Sequence, residues 1–175
     1  MTSRITEGEW TPLPGSLPET VEPDKVYVIP TRSPAAVGEA PRYTDTVRYL
    51  PKDARAADLP VEFSIATGSR EYIAEYSIEP EMWSLGLACL QMSSEWLILT
   101  VTLFITYREK AQGWTENEAQ TLPLRVWVAE TETGRNYELE GTGADVVEAL
   151  KVLQVNAVEA NKGVKGQRGE KRGRE

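Results

Sequence analysis

The sequence contains no histidine and a single cysteine among its 175 residues. Without imidazole, catalytic sites of the Ser-His-Asp or Cys-His type, zinc sites with histidine ligands and pH switches built on histidine are all excluded. One cysteine, Cys89, excludes an intrachain disulfide and any metal site built from several cysteines. Because Cys89 lies among apolar residues, we interpret it as a small buried side chain and not as a nucleophile.

Motifs for cofactor binding are missing as well. Gly141-Thr142-Gly143 lies between a predicted strand and a predicted helix, but Val146 stands where the dinucleotide fingerprint requires its third glycine. The sequence also has no P-loop Gly-Lys-Ser/Thr. We therefore interpret this segment as a tight turn with Thr142 or Asp145 near the helix N-cap, and we predict no cofactor, no metal site and no enzymatic activity.

The net charge of −8 is unevenly distributed along the chain. Residues 162–175 contain six Lys or Arg and two Glu, a local charge of +4, which leaves −12 for the other 161 residues. An acidic body with a short basic end is not typical of a nucleic-acid-binding domain, in which basic groups cluster on the domain itself. The basic end predicts at most a weak, salt-sensitive contact with a polyanion through Lys162, Lys165, Arg168, Lys171, Arg172 and Arg174.

Residues 1–30 show no continuous apolar segment and many acidic residues, so we expect no signal peptide. Residues 82–106 are mostly apolar and long enough to be considered as a membrane span. Glu95 lies near the middle of that segment, however, where a carboxylate in lipid costs about 2.5 kcal/mol or more. We expect a cytoplasmic location or incorporation into a large assembly, with membrane association as an alternative.

The first 25 residues predict an extended arm. Proline removes a backbone donor and restricts the residue before it, so closely spaced prolines prevent a helix or a central strand. Trp10 and Leu13 are the expected anchors if the arm docks on the body or on a neighbour. The prolines of this segment are Pro12, Pro14, Pro18 and Pro23.

Alternating apolar residues predict several strands in the first half of the chain. Residues 26–29 predict a short strand that ends at Pro30, and residues 43–50 predict a second that ends at Pro51. Residues 61–65 and 72–78 alternate on either side of a turn at Gly68 and predict a hairpin.

The middle of the chain predicts a helix followed by a central strand. Glu79-Pro80-Glu81 is typical of a helix start, and the mainly apolar residues 82–92 indicate a helix that is buried on several sides. Residues 96–107 (WLILTVTLFITY) alternate at a spacing of two and predict the central strand of the sheet.

The second half predicts a polar loop over residues 108–121, then two strands and a helix. Residues 122–128 alternate at a spacing of two, Gly134 marks a turn, and Tyr137 and Leu139 face back to the sheet. Val146, Leu150, Leu153 and Ala157 form the apolar stripe of the last helix.

The summed pattern predicts an α+β fold with a mostly antiparallel sheet of about six strands and two helices. We expect a Pro-rich arm over residues 1–25, one domain over residues 26–161 and a disordered basic tail over residues 162–175. The tail holds four glycines and Val164 as its one large apolar residue, so it cannot form a core of its own.

These features favour a non-enzymatic structural, assembly or protein-interaction subunit, and a phage- or plasmid-encoded component would fit. We expect a protein partner or a second copy of the chain, with Trp10 and Trp114 as candidate contacts because both lie in irregular segments. The first alternative is an acidic inhibitor or immunity-type protein that binds a basic partner. The others are a membrane-associated accessory protein and an enzyme that uses carboxylates alone or with a hard cation.

Overall fold

The computed structural model describes residues 4–73, 83–92, 94–113, 115, 117, 121 and 123–172. The fold is α+β, with three helices and a six-stranded mixed sheet among these residues. The elements in chain order are β1 (Arg4–Glu7), β2 (Val26–Val28), β3 (Tyr43–Thr44), α1 (Leu50–Ala56), β4 (Val61–Phe63), β5 (Tyr72–Ile73), β6 (Trp83–Cys89), α2 (Trp96–Gln112), β7 (Pro123–Glu130), β8 (Arg135–Thr142) and α3 (Gly143–Arg172).

The strand order in the main sheet is β1-β8-β7-β6-β2-β4. Strands β1, β8 and β7 are antiparallel neighbours, and β6 is antiparallel to β2. Strand β6 is parallel to β7, and β2 is parallel to β4. The predictions of a mostly antiparallel sheet and of two helices were therefore wrong, because two parallel pairs require crossover connections, which α2 and α1 supply.

The largest correction exchanges a strand and a helix in the middle of the chain. Residues 83–89, predicted as part of a helix, form the central strand β6, in which every side chain is buried. A strand buried on both faces has a continuous apolar sequence and no alternation. Residues 96–107, predicted as the central strand, belong to the 17-residue helix α2. That length is typical of a helix and far exceeds an ordinary strand.

The threonines of α2 give its sequence the polar and apolar alternation of a strand, although they lie in a helix. Thr100, Thr102 and Thr106 each donate a side-chain hydrogen bond to the carbonyl four residues earlier, over 2.6–3.0 Å. Their hydroxyls are therefore satisfied within the helix. Gly113 ends α2 with a φ of +68°, which places the helix end inside the predicted loop over residues 108–121.

The predicted hairpin between residues 61–65 and 72–78 was also wrong. Strand β4 pairs in parallel with β2, and β5 pairs in parallel with β3, while residues 74–78 lie outside the described residues. Of the strand predicted over residues 43–50, only Tyr43–Thr44 is a strand. Pro51 lies in the first turn of α1, where its missing N–H costs nothing, and so it begins a helix where we expected it to end a strand.

The strands predicted near both ends of the sheet were correct. Strand β2 covers the segment before Pro30, and β7 and β8 are joined by a turn in which Gly134 has a φ of +74°. The turn before α3 is also as predicted. Thr142 and Asp145 form reciprocal side-chain to backbone hydrogen bonds of 3.2 and 3.3 Å, which cap the helix.

All three helices pack on one face of the main sheet. Leu50 of α1, Phe104 of α2 and Leu150 of α3 are buried in one cluster with alternate residues of the strands, among them Leu85 and Val126. The opposite face carries Tyr27, Ile29, Ala88 and Ala129, and part of the arm covers it through Trp10 and Val21. The first described residues of the arm form β1, which adds an edge strand to β8.

Helix α3 begins at the end of β8 and continues to Arg172. The backbone of residues 162–172 belongs to α3, and Arg174 lies outside the described residues, so the disordered tail over residues 162–175 stays a prediction. Within the described part of the chain, no helix combines the length and the apolar character needed to cross a membrane.

Candidate functional site

One cleft on the helical side of the sheet is lined by basic side chains, although the chain as a whole is acidic. It has a volume of about 370 Å³ and lies between α1, β4 and the loop before β5. We call it the cationic cleft and define it by its four basic residues, Arg48, Lys52, Arg55 and Arg70.

The local helical geometry places three of these cations on one side of α1. Arg48 has helical backbone angles immediately before α1, and Lys52 and Arg55 follow within the helix. Separations of four and three residues bring side chains to the same face of a helix. All three are exposed, while the apolar Leu50 and Ala54 of α1 face the core.

Aromatic rings hold two of the cleft's guanidinium groups. The Arg48 guanidinium carbon lies 4.5 Å from the centre of the Tyr72 ring, and that of Arg70 lies 4.2 Å from the centre of the Phe63 ring. Arg70 Nη2 also donates a hydrogen bond of 2.6 Å to Thr67 Oγ1. Cation–π contacts of this kind contribute about 0.5–1 kcal/mol at exposed sites.

A buried tyrosine supports the aromatic wall of the cationic cleft. Tyr43 packs edge-on to Phe63, and its hydroxyl lies 3.1 Å from the Val28 carbonyl, to which it can donate. The same oxygen lies 3.0 Å from Ser64 Oγ and accepts a 3.2 Å bond from the Ile65 amide. Burial raises the pKa of Tyr43, so the hydroxyl keeps its proton through the neutral range.

Among the described residues, no carboxylate forms an ion pair with the four cations of the cationic cleft. No carboxylate of the described residues lies within 4.0 Å of a basic group of Arg48, Lys52, Arg55 or Arg70. The one acid that lines the cleft, Glu62, accepts a 3.0 Å bond from Lys25 Nζ. Hydrogen bonds to Glu62 and Glu22 raise the pKa of Lys25, so the Lys25 ammonium keeps its proton.

A second polar cluster lies on the opposite face of the sheet, around Arg125. Its Nε lies 3.3 Å from Glu138 Oε1, and its Nη2 lies 3.3 Å from Glu140 Oε2. Arg4 and Glu9 line the same cavity of about 210 Å³, so charges of both signs alternate there. We interpret this cluster as the ion-paired outer face of the sheet, and no group of acids among the described residues is arranged to hold a metal.

The buried carboxylate of Glu130 serves the turn after β7. Its Oε2 accepts a 2.7 Å bond from the Met92 amide, and its Oε1 is bonded to the Thr133 hydroxyl. Burial, and secondarily the charge of Glu130, raises the pKa of the neighbouring Cys89 to about 12. The Cys89 thiol therefore keeps its proton through the neutral range, which fits a buried structural side chain and not a nucleophile. The contacts of Glu130 join the turn after β7 to the segment after β6.

The outer side of α3 forms an exposed stripe that mixes apolar and charged residues. Val152, Val155 and Val158 are 53%, 57% and 40% exposed. We define the α3 outer stripe as these valines together with the exposed residues beside them, Glu148, Lys151 and Glu159. At its N-terminal end it borders a groove of about 480 Å³ between α2 and α3, which Thr106, Val147 and Glu109 help to line.

The residues predicted as contacts lie in different places. Trp10 is half-buried and stacks on Trp127 of β7, with 6.1 Å between ring centroids, so its present contact is within the chain. Trp114 lies outside the described residues. Five of the six predicted polyanion-binding residues lie on the last three turns of α3, and the sixth, Arg174, is outside. Partner and polyanion contacts at these positions stay predictions.

The cationic cleft was not predicted from the sequence. Its one available signal was the spacing of Arg48, Lys52 and Arg55, which matches one face of a helix. The interpretation of residues 43–50 as a strand removed that signal. Arg70 is brought to the cleft by the parallel pairing of β5 with β3, which no local pattern indicates.

Comparison of the chain with protein-family models, with curated proteins and with solved structures found no match. The structural features that bear on function are therefore the cationic cleft and the α3 outer stripe.

Proposed function

We propose that the chain is a non-enzymatic assembly subunit that associates with a second copy of itself through an antiparallel pairing of α3 helices. The observation that carries this proposal is the α3 outer stripe, in which three exposed valines follow one another at intervals of three residues. Apolar side chains exposed in a row on one helix are typical of an interface.

The charges beside the valines are arranged for an antiparallel partner. If a two-fold axis passes at Val155, Val152 of one copy lies opposite Val158 of the other, and Lys151 lies opposite Glu159. One turn further out, Glu148 lies opposite position 162, which is a lysine. Every such pair joins opposite charges or two valines, and a two-fold interface repeats each pair twice.

The length of α3 also supports a partner. Gln154 Nε2 donates a 2.6 Å hydrogen bond to the Ser94 carbonyl, two residues before α2 begins. Helix α3 therefore passes the N-terminal end of α2 at Gln154. From there it continues to Arg172, a distance of about 27 Å. Gly163, Gly166 and Gly169 lie in this part, and each costs about 1 kcal/mol in a helix interior. A helix of this composition requires packing to be stable.

Charge complementarity favours a second copy as that partner. The basic end of α3 follows a body with a net charge of −12. In the antiparallel arrangement this end runs along the first turns of the partner's α3, beside the groove between α2 and α3 that carries Glu109 and Glu148. We infer that the basic end is primarily a subunit contact, and that the arm over residues 1–25 and the location in a larger assembly belong to the same structural role.

Light scattering coupled to size-exclusion chromatography tests this proposal. We expect a dimer whose dissociation constant rises with salt, and we expect Val155→Glu to weaken it at least about tenfold, because it places two carboxylates together at the axis. Val37→Glu is the matched control, since Val37 is fully exposed and lies in a loop far along the chain from α3.

A charge exchange then tests the register of the two helices. Glu148→Lys should weaken the dimer because it faces Lys162, and the double variant Glu148→Lys/Lys162→Glu should restore it. A wild-type chain that is monomeric at high protein concentration and low salt would contradict the proposal. So would a dimer that is indifferent to Val155→Glu.

A further inference from the structure

We propose that the cationic cleft is a binding site for a small phosphate-bearing ligand of nucleotide size. The cationic cleft shares no residue with the α3 outer stripe. Ligand binding in the cleft and self-association through α3 can therefore be tested independently.

The first argument is the concentration of positive charge that no described carboxylate pairs. Four cations surround one cleft in a chain whose acids outnumber its bases by 27 to 19. Like charges in one cleft repel each other, and no described carboxylate neutralises these four. The acid that lines the cleft, Glu62, is already bonded to Lys25. An anion in the cleft removes this repulsion and gains charge-assisted hydrogen bonds.

The second argument is preorganisation. Arg70 is held by the Phe63 ring and by Thr67, and Arg48 is held by the Tyr72 ring. A long side chain that is already fixed loses little conformational freedom when a ligand binds. Lys52 and Arg55 are exposed on α1 and supply two further charges at the rim. Two guanidinium groups that already have aromatic contacts, with two further cations beside them, suit phosphate oxygens, because the fork geometry of arginine matches them bidentately.

The third argument concerns the size and shape of the ligand. A volume of about 370 Å³ lies at the lower end of the range for small-molecule sites. The cleft combines two arginines with aromatic rings, and both kinds of side chain stack on flat bases in RNA recognition. The acidic remainder of the chain repels a long polyanion. These features together favour a free nucleotide over a nucleic-acid strand.

Isothermal titration calorimetry with the full chain tests the site. The probes are ATP without divalent cation, inorganic phosphate, a single-stranded dT12 oligonucleotide and a glutamate peptide of the same net charge as ATP. We expect ATP to bind at least about tenfold more tightly than inorganic phosphate, which carries no base. Its affinity should fall with rising salt as several phosphate contacts are screened.

The double variant Arg48→Gln/Arg70→Gln should weaken ATP binding at least about tenfold and leave the thermal transition of the protein in place. Arg135→Gln is the matched control, because Arg135 is an exposed arginine at the start of β8, outside the cleft. Its ATP affinity should equal that of the wild type.

Three results would overturn the proposal. The first is ATP binding that the double variant leaves unchanged, and the second is the absence of any ATP binding by the wild-type chain. The third is a glutamate peptide or dT12 that binds as tightly as ATP, since this would replace the free nucleotide by another anion. Each of these results leaves the dimer measurements unaffected, so failure of the site and failure of the self-association are distinguishable.

Discussion

The Trp10 indole stacks on the Trp127 indole, with ring centroids 6.1 Å apart and ring planes inclined by 23°. Trp127 lies on the sheet face opposite α1, α2 and α3, and Trp10 lies in the arm that crosses this face. Together with β1, which pairs with β8, this contact ties the N-terminal segment to the sheet at two places. The arm therefore completes the second side of the sheet in this structure.

The stack predicts that Trp10→Ala lowers the free energy of unfolding by about 1–3 kcal/mol, because a large half-buried ring is lost. Urea denaturation followed by circular dichroism measures this loss. Trp10→Phe is the control, since it keeps an aromatic ring and should lose less than half as much. An alanine variant as stable as the wild type would show that the arm contributes nothing to the body.

Gly86 is required by the close approach of the chain after β2. A Cβ at this position would lie 2.5 Å from Thr31 Cγ2 and 2.9 Å from Ile29 Cγ1, while the Ile29 amide donates to the Gly86 carbonyl at 3.0 Å. We predict that Gly86→Ala costs about 1–3 kcal/mol of unfolding free energy through overpacking. The measurement is the midpoint of urea unfolding.

A second-site change tests the cause of that cost. Thr31→Ser removes the Cγ2 methyl group, so the double variant Gly86→Ala/Thr31→Ser should recover part of the stability that Gly86→Ala loses. If the double variant is no more stable than Gly86→Ala, the contact with Thr31 is not responsible.

Cys89 predicts a loss of stability at high pH. Burial raises the pKa of its thiol from 9.0 to about 12 in the folded chain. Between these values the unfolded chain has released the proton that the folded chain still holds, so the unfolded state binds fewer protons and is favoured as the pH rises. Stability is therefore fully present below about pH 9 and declines from there toward pH 12.

Unfolding free energies measured at several pH values between 8 and 11 check this dependence. Cys89→Ala removes the titrating thiol, so its decline with pH should be shallower than that of the wild type. Equal slopes for the two proteins would contradict the assignment to Cys89.

The sequence predicts a helix or strand correctly where one face of the element is apolar and the other is polar. On β7 and β8, Val126 and Leu139 face the core while Arg125 and Glu138 face the opposite side, so the alternation is clear. The apolar stripe of α3 was found for the same reason.

The helix and the strand in the middle of the chain were predicted in the wrong order because neither has faces of different chemistry. Strand β6 is buried on both faces, so its sequence has no alternation. Helix α2 is apolar on most sides. Leu97, Val101 and Phe104 follow the period of a helix, but the apolar residues of 96–107 also follow the period of two that is typical of a strand. When both periods fit, segment length decides, and 17 residues favour a helix.

The two candidate surfaces differ in how far the sequence reveals them. The α3 outer stripe is local, so its valines and charges could be read along one helix. The cationic cleft combines α1 with Arg70 from the loop before β5, and the two meet only through the parallel pairing of short strands. Long-range pairing of two or three residues leaves no pattern in the sequence.

Disulfide cross-linking of a Val155→Cys variant tests the self-association most directly, because a two-fold axis at this position places residue 155 next to its own copy. Cys89 is buried and does not compete. Under mild oxidation we expect Val155→Cys to form a covalent dimer rapidly, and an equal mixture of Val152→Cys and Val158→Cys chains to form the mixed dimer in preference to either homodimer. Slow cross-linking of Val155→Cys, at the rate of a Val37→Cys control, would contradict the pairing of α3 helices.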